Sequence, residues 1–274
     1  MITFKNYFTE GHRAKTSEIP YGDNPFNMIE GQELVFFDTE TTGLSPRDRQ
    51  ITEIAAVVIS GDTFEVLNSY HVHIKLTPET AQLIKDQEPI DMRWKIKDIL
   101  KMTNYYNSKA DNDEIEAIEG FRKFIPEGAL IVAHNAKFDL KMVNTRAKIN
   151  GLRAIDHFGK VLDTSLLSRE FFIPASQELE AEGDEKAKAY LDQLTTAWTE
   201  SKKRQKISSR LGDLAKAMAV DLKNWHQAMA DVEATIEIFK YLKKFFDDHF
   251  EADHQHKPDF IRRWKRARDL KRRR

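Results

Sequence analysis

The stretch Leu34–Gly43 reads L-V-F-F-D-T-E-T-T-G. Leu34 to Phe37 form an apolar run too short for a helix and rich in bulky, β-favouring side chains. That is the pattern of a strand buried on both faces. The run delivers two carboxylates, Asp38 and Glu40, at i and i+2, a spacing that puts both on one face of a strand. Thr41, Thr42 and Gly43 then end the strand in a turn. At ~4 Å and an effective dielectric of ~20, two such charges repel by roughly 4 kcal/mol. A fold tolerates that when a cation lies between them or when one acid stays protonated. The bland alternative is an acidic strand end bathed in solvent; metal binding is the favoured reading.

Working outward, the polar turn S-P-R-D-R-Q leads into Ile51–Ser60, a second strand, and Gly61-Asp62 makes a hairpin turn. Phe64–Leu76 reads as a third strand, with alternation in V-H-V-H-I-K-L. Short connections make these three strands, at about 33–40, 51–60 and 64–76, an antiparallel meander. His71 and His73 share one face of the third strand, and a solvated face is expected for them, not a metal site. Ala129–His134 (A-L-I-V-A-H) is a second fully buried strand. It runs straight into the helical stretch N-A-K-F-D-L-K-M-V-N-T-R-A-K-I-N-G, with Gly151 as the stop. Asp139 lies on the first turns of that helix, near the strand's carboxyl end, where α/β proteins place active groups. Lys160–Asp163 resembles a short fifth strand, and strands four and five join the sheet in parallel through helices. The expected class is α/β: a mixed five-stranded sheet with helices on both faces and the Asp38 strand away from the edge.

Pro78–Gln87 opens like a short helix, with Pro78 and Glu79 at its start. Asp91–Tyr106 is helical and intersperses Arg93, Trp94, Lys95, Lys97, Lys101, Tyr105 and Tyr106, a mixture suited equally to nucleic-acid contact and to an ordinary amphipathic helix. A further helix spans about Asp113–Phe124 and stops at Pro126. Asp163 and Thr164 read as a cap for the helix S-L-L-S-R-E-F-F, not as chemistry. Pro174–Lys206 interrupts the domain as an inserted helical arm with a basic end. Ser208–Val220 is an amphipathic helix, and a long helix follows, with His226 near its start and Asp231 five residues on. Residues 1–31 form an N-terminal extension, 32–250 the main domain with its insertion at about 174–206, and 251–274 a basic tail.

Composition bounds the function. The 274 residues are 41% hydrophobic and 32% charged, so a soluble protein with solvated helices is expected. No window approaches the ~18 apolar residues of a membrane span, and the first residues lack the apolar core of a signal peptide. With no cysteine, disulfides, thiolate zinc sites and cysteine nucleophiles are excluded, and a cytoplasmic setting is expected. The net charge of −1 is the sum of an acidic body and the cationic segment Lys257–Arg274.

The polar outliers make a set: Asp38 and Glu40 on one strand, Asp139 after another, and His226 with Asp231 at a helix start. Four carboxylates without matched buried Lys or Arg require divalent cations, and oxygen-only ligation suits Mg²⁺ or Mn²⁺. Two ions roughly 3.5–4 Å apart clamp the attacking and leaving oxygens of a phosphodiester. A histidine nearby supplies the general base for the attacking water.

The segments D-T-E-T-T-G, H-N-A-K-F-D and H-Q-A-M-A-D resemble, in order and in position, the three motifs of the DEDDh 3′→5′ exonucleases. That family has a ribonuclease H-like fold and includes the proofreading subunit of the bacterial replicative polymerase. The resemblance covers about 33–250. It implies Asp38, Glu40 and Asp231 as ligands of the ion that activates water, with Asp38 bridging to a second ion. Asp139 would act on that second ion directly or through water, and His226 would be the base. Thr39, Thr41, Asn135 and Phe138 within the motifs, and Glu79 after Pro78, are the implied substrate contacts. Two features depart from the family pattern. The His-Gly-Ile element is replaced by D-Q-E-P-I-D-M-R-W-K, and the arm at 174–206 lengthens the gap before the third motif. The implied function is removal of nucleoside 5′-monophosphates from the 3′ end of nucleic acid, single-stranded DNA first, with two Mg²⁺ ions replaceable by Mn²⁺. Single-stranded 3′ ends and replication or repair proteins are the implied partners, with no membrane. An RNA substrate and a subunit held by a polymerase stay open. A non-catalytic binding module is disfavoured because none of the five residues is lost. Gln32–Phe37 mimics a clamp-binding peptide but belongs to the central strand.

The tail Arg262–Arg274 carries Ile261, Trp264, Ala267 and Leu270 along one narrow apolar edge, beside Arg and Lys that would hold phosphates outside the active site. Deleting the segment after Pro258 is expected to weaken binding of long single strands and flatten the salt dependence, by a log–log slope of about 0.7 for each phosphate the tail neutralises. Cleavage of very short substrates is expected to stay nearly unchanged. An unaltered salt slope, measured by fluorescence anisotropy, would move the contact to Lys202–Lys206.

Overall fold

The computed structural model describes residues 25–86, 110, 112–155, 161–196, 206–221 and 227–250. Residues 1–24, the helix expected at 91–106, Lys160, the basic stretch 202–205, His226 and the tail from 251 lie outside the described residues. What is described falls into two compact units, one within Gly31–Leu162 and Asn224–Glu233, the other made of the remainder.

The first unit is built on strand β1 (Glu33–Thr41), whose residues Leu34 to Phe37 are all buried. It pairs antiparallel with β2 (Ile51–Ser60), which pairs antiparallel with β3 (Val66–His73). On its other side β1 pairs in parallel with β4 (Leu130–Ala133), through Leu34 opposite Leu130 and Phe36 opposite Val132. With β5 (Val161–Asp163) the sheet order is β3-β2-β1-β4-β5, so the strand carrying Asp38 and Glu40 is central. The expected mixed five-stranded sheet is therefore present, flanked by helices. The third strand is shorter than its alternation predicts. Phe64 takes a left-handed conformation (φ 58°), and its amide donates to the Ser60 carbonyl, so the hairpin loop runs on past Gly61-Asp62.

Helix α1 (Pro78–Asp86) follows β3, and α2 (Glu114–Phe124) starts with a capping box in which Asp113 and Glu116 satisfy each other's backbone amides. Helix α3 (Ala136–Ile149) leaves β4 through Asn135 and ends near Gly151, whose φ of 73° is the left-handed geometry that a stop residue requires. Val35, Phe37, Ile54 and Val58 on one sheet face pack with Ile118 and Phe121 of α2 and Leu140 and Val143 of α3 in one core. One ionic knot holds these elements together. The Glu114 carboxylate accepts from the Ile51 amide (3.2 Å), from Arg146 Nε and Nη2, and from Asn150 Nδ2 (2.9 Å).

In the second unit Asp163 caps α4 (Thr164–Leu167), its Oδ1 accepting from the amides of Ser165 (2.9 Å) and Leu166 (3.2 Å). The capping role read from the sequence is what the backbone shows. A π turn at Ser168–Phe172 leads into α5 (Ile173–Ala181), where Pro174 sits in the first turn and needs no amide partner. Helix α6 (Glu185–Leu194) follows, then a small ribbon of β6 (Thr195–Thr196) with β7 (Lys206–Ile207). Helix α7 is confined to Leu211–Ala217, shorter than its amphipathic pattern, because Ala219 turns left-handed (φ 55°) behind it. Helix α8 (Ala228–Phe250) closes the described chain. Phe26, Phe239 and Phe246 stack edge-on, with ring centroids 5.1 and 5.2 Å from Phe26, and Phe172 meets Phe245 at 4.9 Å. Among the described residues no helix is long and apolar enough to cross a membrane.

Arg146→Ala strands the buried Glu114 carboxylate, and breaking one partner of a buried pair costs about 3–5 kcal/mol. The urea midpoint is expected to fall accordingly, while Glu119→Ala, which removes surface pairs with Arg122 and Lys123, is expected to leave it nearly unchanged.

Candidate active site

Asp38 and Glu40 sit where β1 leaves the core, both half-buried and on the same sheet face. Immediately after Glu40 the pairing of β1 with β2 slips, so that Thr41 lies opposite Ile51. Such a bulge bends a strand and re-aims its side chains. The bend is pinned by Thr41 Oγ1 donating to the Gly43 carbonyl (2.9 Å) and by paired bonds between Thr42 and Gln50.

Asp139 reaches the same strand end from α3. Its helix starts directly behind β4 because Asn135 adopts a left-handed conformation (φ 67°), a geometry that asparagine tolerates better than most residues. The Phe138 amide then donates to the Asn135 carbonyl (2.8 Å), closing the first turn. Asp139, only 3% exposed, accepts at Oδ1 from both the Thr39 amide (3.1 Å) and the Thr39 hydroxyl (2.7 Å). Thr39, expected among the substrate contacts, is itself buried and directs both donors at Asp139. Asp231, 7% exposed, comes from the first turn of α8, where its amide donates to the Gln227 carbonyl (3.1 Å). Carboxylate oxygens of Asp38, Glu40 and Asp231 lie within 4.8 Å of one another.

This crowding is written into the acidities. Asp38 is held well above the usual carboxylate range, first by burial and then by the charges of Asp139, Glu40, Asp231 and Glu53. Glu40 is pushed up to about 8, again by burial first and then by Asp231, Glu53 and Asp139. Three convergent carboxylates, of which Asp38 and Glu40 resist ionisation for lack of a counter-charge, are the donor set a hard divalent cation takes, and the residues fit such an ion.

The other candidate residues are more scattered. Thr41 belongs to the bend, Asn135 is exposed at the junction, and Phe138 packs against the core. Glu79 is exposed on the first turn of α1. His226 lies outside the described residues. Glu53, passed over in the sequence, belongs to this face as well. It is buried on β2, directly opposite Glu40, and its charge weighs on both Asp38 and Glu40. A lone acid within the run Ile51–Ile59 was the available signal.

With that geometry in place, the RNase_T exonuclease family matches residues 35–239, most of the chain. The chain belongs to the exonuclease family. It is 31% identical over 226 residues to a DNA polymerase III PolC-type protein of Caldanaerobacter subterraneus subsp. tengcongensis, a match covering 79% of this chain and 12% of that one. A PolC-type polymerase of Clostridium perfringens is 26% identical over 248 residues, covering 89% of this chain and 14% of that one. The chain thus spans about an eighth of the length of these relatives. In fold it is similar to E. coli exonuclease I in complex with a dT13 oligonucleotide, with a TM-score of 0.52, 21% identity, and coverage of 82% of this chain and 45% of that one.

The raised pKa values in this acidic cluster predict a pH dependence. A carboxyl whose folded pKa is raised binds more protons folded than unfolded, so stability falls as pH rises from its unfolded value to its folded one. For Glu40 that window runs from 4.5 to about 8. Thermal midpoints of the metal-free protein are expected to decline across it, whereas Glu40→Gln is expected to remove much of the decline. Saturating Mg²⁺ is expected to flatten the wild-type profile, since it stabilises the ionised carboxylates.

Proposed function

We propose that this chain is a metal-dependent 3′→5′ exonuclease acting on single-stranded DNA and releasing nucleoside 5′-monophosphates. The observation that carries the proposal is the convergence of Asp38, Glu40 and Asp231 within 4.8 Å, with Asp139 locked beside them by Thr39. Two Mg²⁺ ions, replaceable by Mn²⁺, would supply Lewis-acid polarisation of the phosphate and a lowered pKa for the attacking water.

The protein's own groups do the rest. Asp38, Glu40 and Asp231 would hold one ion and Asp139 the other; β1, α3 and α8 fix these acids, so their spacing is set before substrate arrives. The Thr39 donors stop Asp139 from swinging away from the strand. His226, five residues before Asp231, takes the proton from the attacking water and must be neutral to do so. Thr39, Thr41, Asn135, Phe138 and Glu79 are substrate contacts in the same proposal. Residues 32–250 form the exonuclease domain in this reading, with 174–206 as an insertion, 1–31 as an extension and 251–274 as a basic tail. A cytoplasmic location goes with the proposal, as does a single-stranded 3′ end as binding partner. The match to PolC-type polymerases supports a second reading, in which the chain works alongside a polymerase or other replication and repair proteins.

The test is a gel assay on 5′-labelled single- and double-stranded DNA and RNA with Mg²⁺. A ladder shortening from the 3′ end on single-stranded DNA is expected, and full activity in excess chelator would overturn the metal-dependent mechanism. Asp38→Ala and Asp231→Ala are expected to abolish hydrolysis with the fold intact by circular dichroism. His226→Ala is expected to lower turnover about 10²- to 10⁴-fold and to remove the rising limb at about pH 6.5–8; an unchanged pH profile would assign the base elsewhere.

A further inference from the structure

The sheet face that bears Asp38 and Glu40 continues across β2 and β3 with different chemistry. In register, Glu40 stands opposite Glu53 and Glu53 opposite His73, while Asp38 stands opposite Ala55 and Ala55 opposite His71. Directly opposed residues of an antiparallel pair point to the same side, with Cβ atoms about 4.5–5.5 Å apart. Glu53 is therefore enclosed between the acids of β1 and two imidazoles of β3. These two do not stand on the purely solvated face expected of them. His71 Nε2 lies 2.7 Å from Glu53 Oε1, His73 Nδ1 lies 3.9 Å from Glu53 Oε2, and the rings are 4.9 Å apart.

We propose that Glu53, His71 and His73 form a second metal site, separate from the Asp38–Glu40–Asp231 set and selective for a borderline transition-metal ion such as Zn²⁺. One donor atom from each of the three residues lies within 4.8 Å of the others. Zinc bonds of about 2.0–2.2 Å to nitrogen and oxygen at tetrahedral angles separate their ligands by about 3.4 Å. The observed 2.7 and 3.9 Å bracket that value, so small side-chain rotations complete the geometry. Glu53 is 1% exposed, and its Oε2, buried, makes no hydrogen bond and faces the gap toward His73. A buried carboxylate oxygen left without a donor is costly unless something positive occupies that gap. His71 is the open side: its side chain is 38% exposed, against 21% for His73, which provides a route in and leaves a coordination position for water.

The two sets on this face differ in donor chemistry. Three carboxylates offer only oxygen and suit Mg²⁺ or Mn²⁺, whereas two imidazoles with one carboxylate suit Zn²⁺, and more generally the later metals of the first row. Zinc on Glu53 also places a positive charge beside Glu40, whose ionisation Glu53 otherwise opposes. The site is thus a place where a second metal can act on the acids of the exonuclease site without entering it. It stands whether or not the proposed substrate is correct.

The test uses the full chain carrying Asp38→Ala and Asp231→Ala, which dismantles the all-oxygen set, and titrates it with Zn²⁺ by calorimetry and with Co²⁺ by visible absorption. One ion is expected to bind, with the intense visible bands of four-coordinate cobalt. Adding His71→Ala or His73→Ala is expected to weaken binding more than roughly 100-fold, beyond the cost of losing a merely supporting group. An isotherm unchanged by either histidine substitution, or no binding in the doubly substituted chain, overturns the proposal. Independently of any variant, side-chain ¹⁵N spectra of the unsubstituted protein are expected to show Zn²⁺ shifting one imidazole nitrogen of each of His71 and His73. Unshifted signals at saturating Zn²⁺ would also overturn it. None of these measurements reads hydrolysis, so failure here and failure of the exonuclease proposal are distinguishable.

Discussion

Negative charges brought together where water is scarce are the constraint around which this exonuclease domain is built. Asp38, Glu40 and Asp231 converge at the end of the central strand, with Asp139 and Glu53 close enough for their charges to be felt. Each pair at ~4 Å costs roughly 4 kcal/mol at an effective dielectric of ~20, and burial adds to it. A loop would relax such a cluster by moving apart. A strand with antiparallel and parallel partners on its two sides, and with Leu34 to Phe37 buried beneath the acids, has no such freedom. The strain surfaces instead as raised pKa values at Asp38 and Glu40, which a bound divalent cation relieves.

The surrounding structure consists of devices that deliver remote residues to that strand end and keep them there. Asn135 accepts a left-handed backbone so that α3 can begin at once behind β4, and the first turn then carries Asp139 to Thr39. The bulge after Glu40 breaks the register of β1 with β2 just beyond the acids. Farther out, Glu114 ties the start of β2 to α2 and α3 through Arg146 and Asn150, so the helix bearing Asp139 is anchored at its far end as well. These contacts are polar, buried and mutually satisfied, the form in which polar groups rigidify a core.

The same pleat that aligns Asp38 with Glu40 aligns Glu53 with His73 two strands away, so one sheet face presents a hard oxygen site and a softer nitrogen-bearing one side by side. The first is the set on which the proposed exonuclease activity rests. The second follows from the pairing of β2 with β3 in this chain.

Much of this was legible in the sequence because it depends on local periodicity. Alternation put Asp38 and Glu40 on one face, the brevity of L-V-F-F made a strand, and H-N-A-K-F-D announced a strand-to-helix junction bearing Asp139. The Asp163 cap was readable for the same reason, since a capping carboxylate bonds amides two and three residues on. What depends on residues far apart was not legible. Nothing in the chain announced that Asp139, one hundred positions after Thr39, takes both of its donors. Glu53 was one acid in an apolar run, and His71 and His73 an alternating pair, until strand register set them face to face. Sequence by itself determined which residues lie on one face of one element. Which faces meet was decided only by the tertiary structure, because register and packing depend on cross-strand and helix–sheet contacts that leave no periodic trace in the chain.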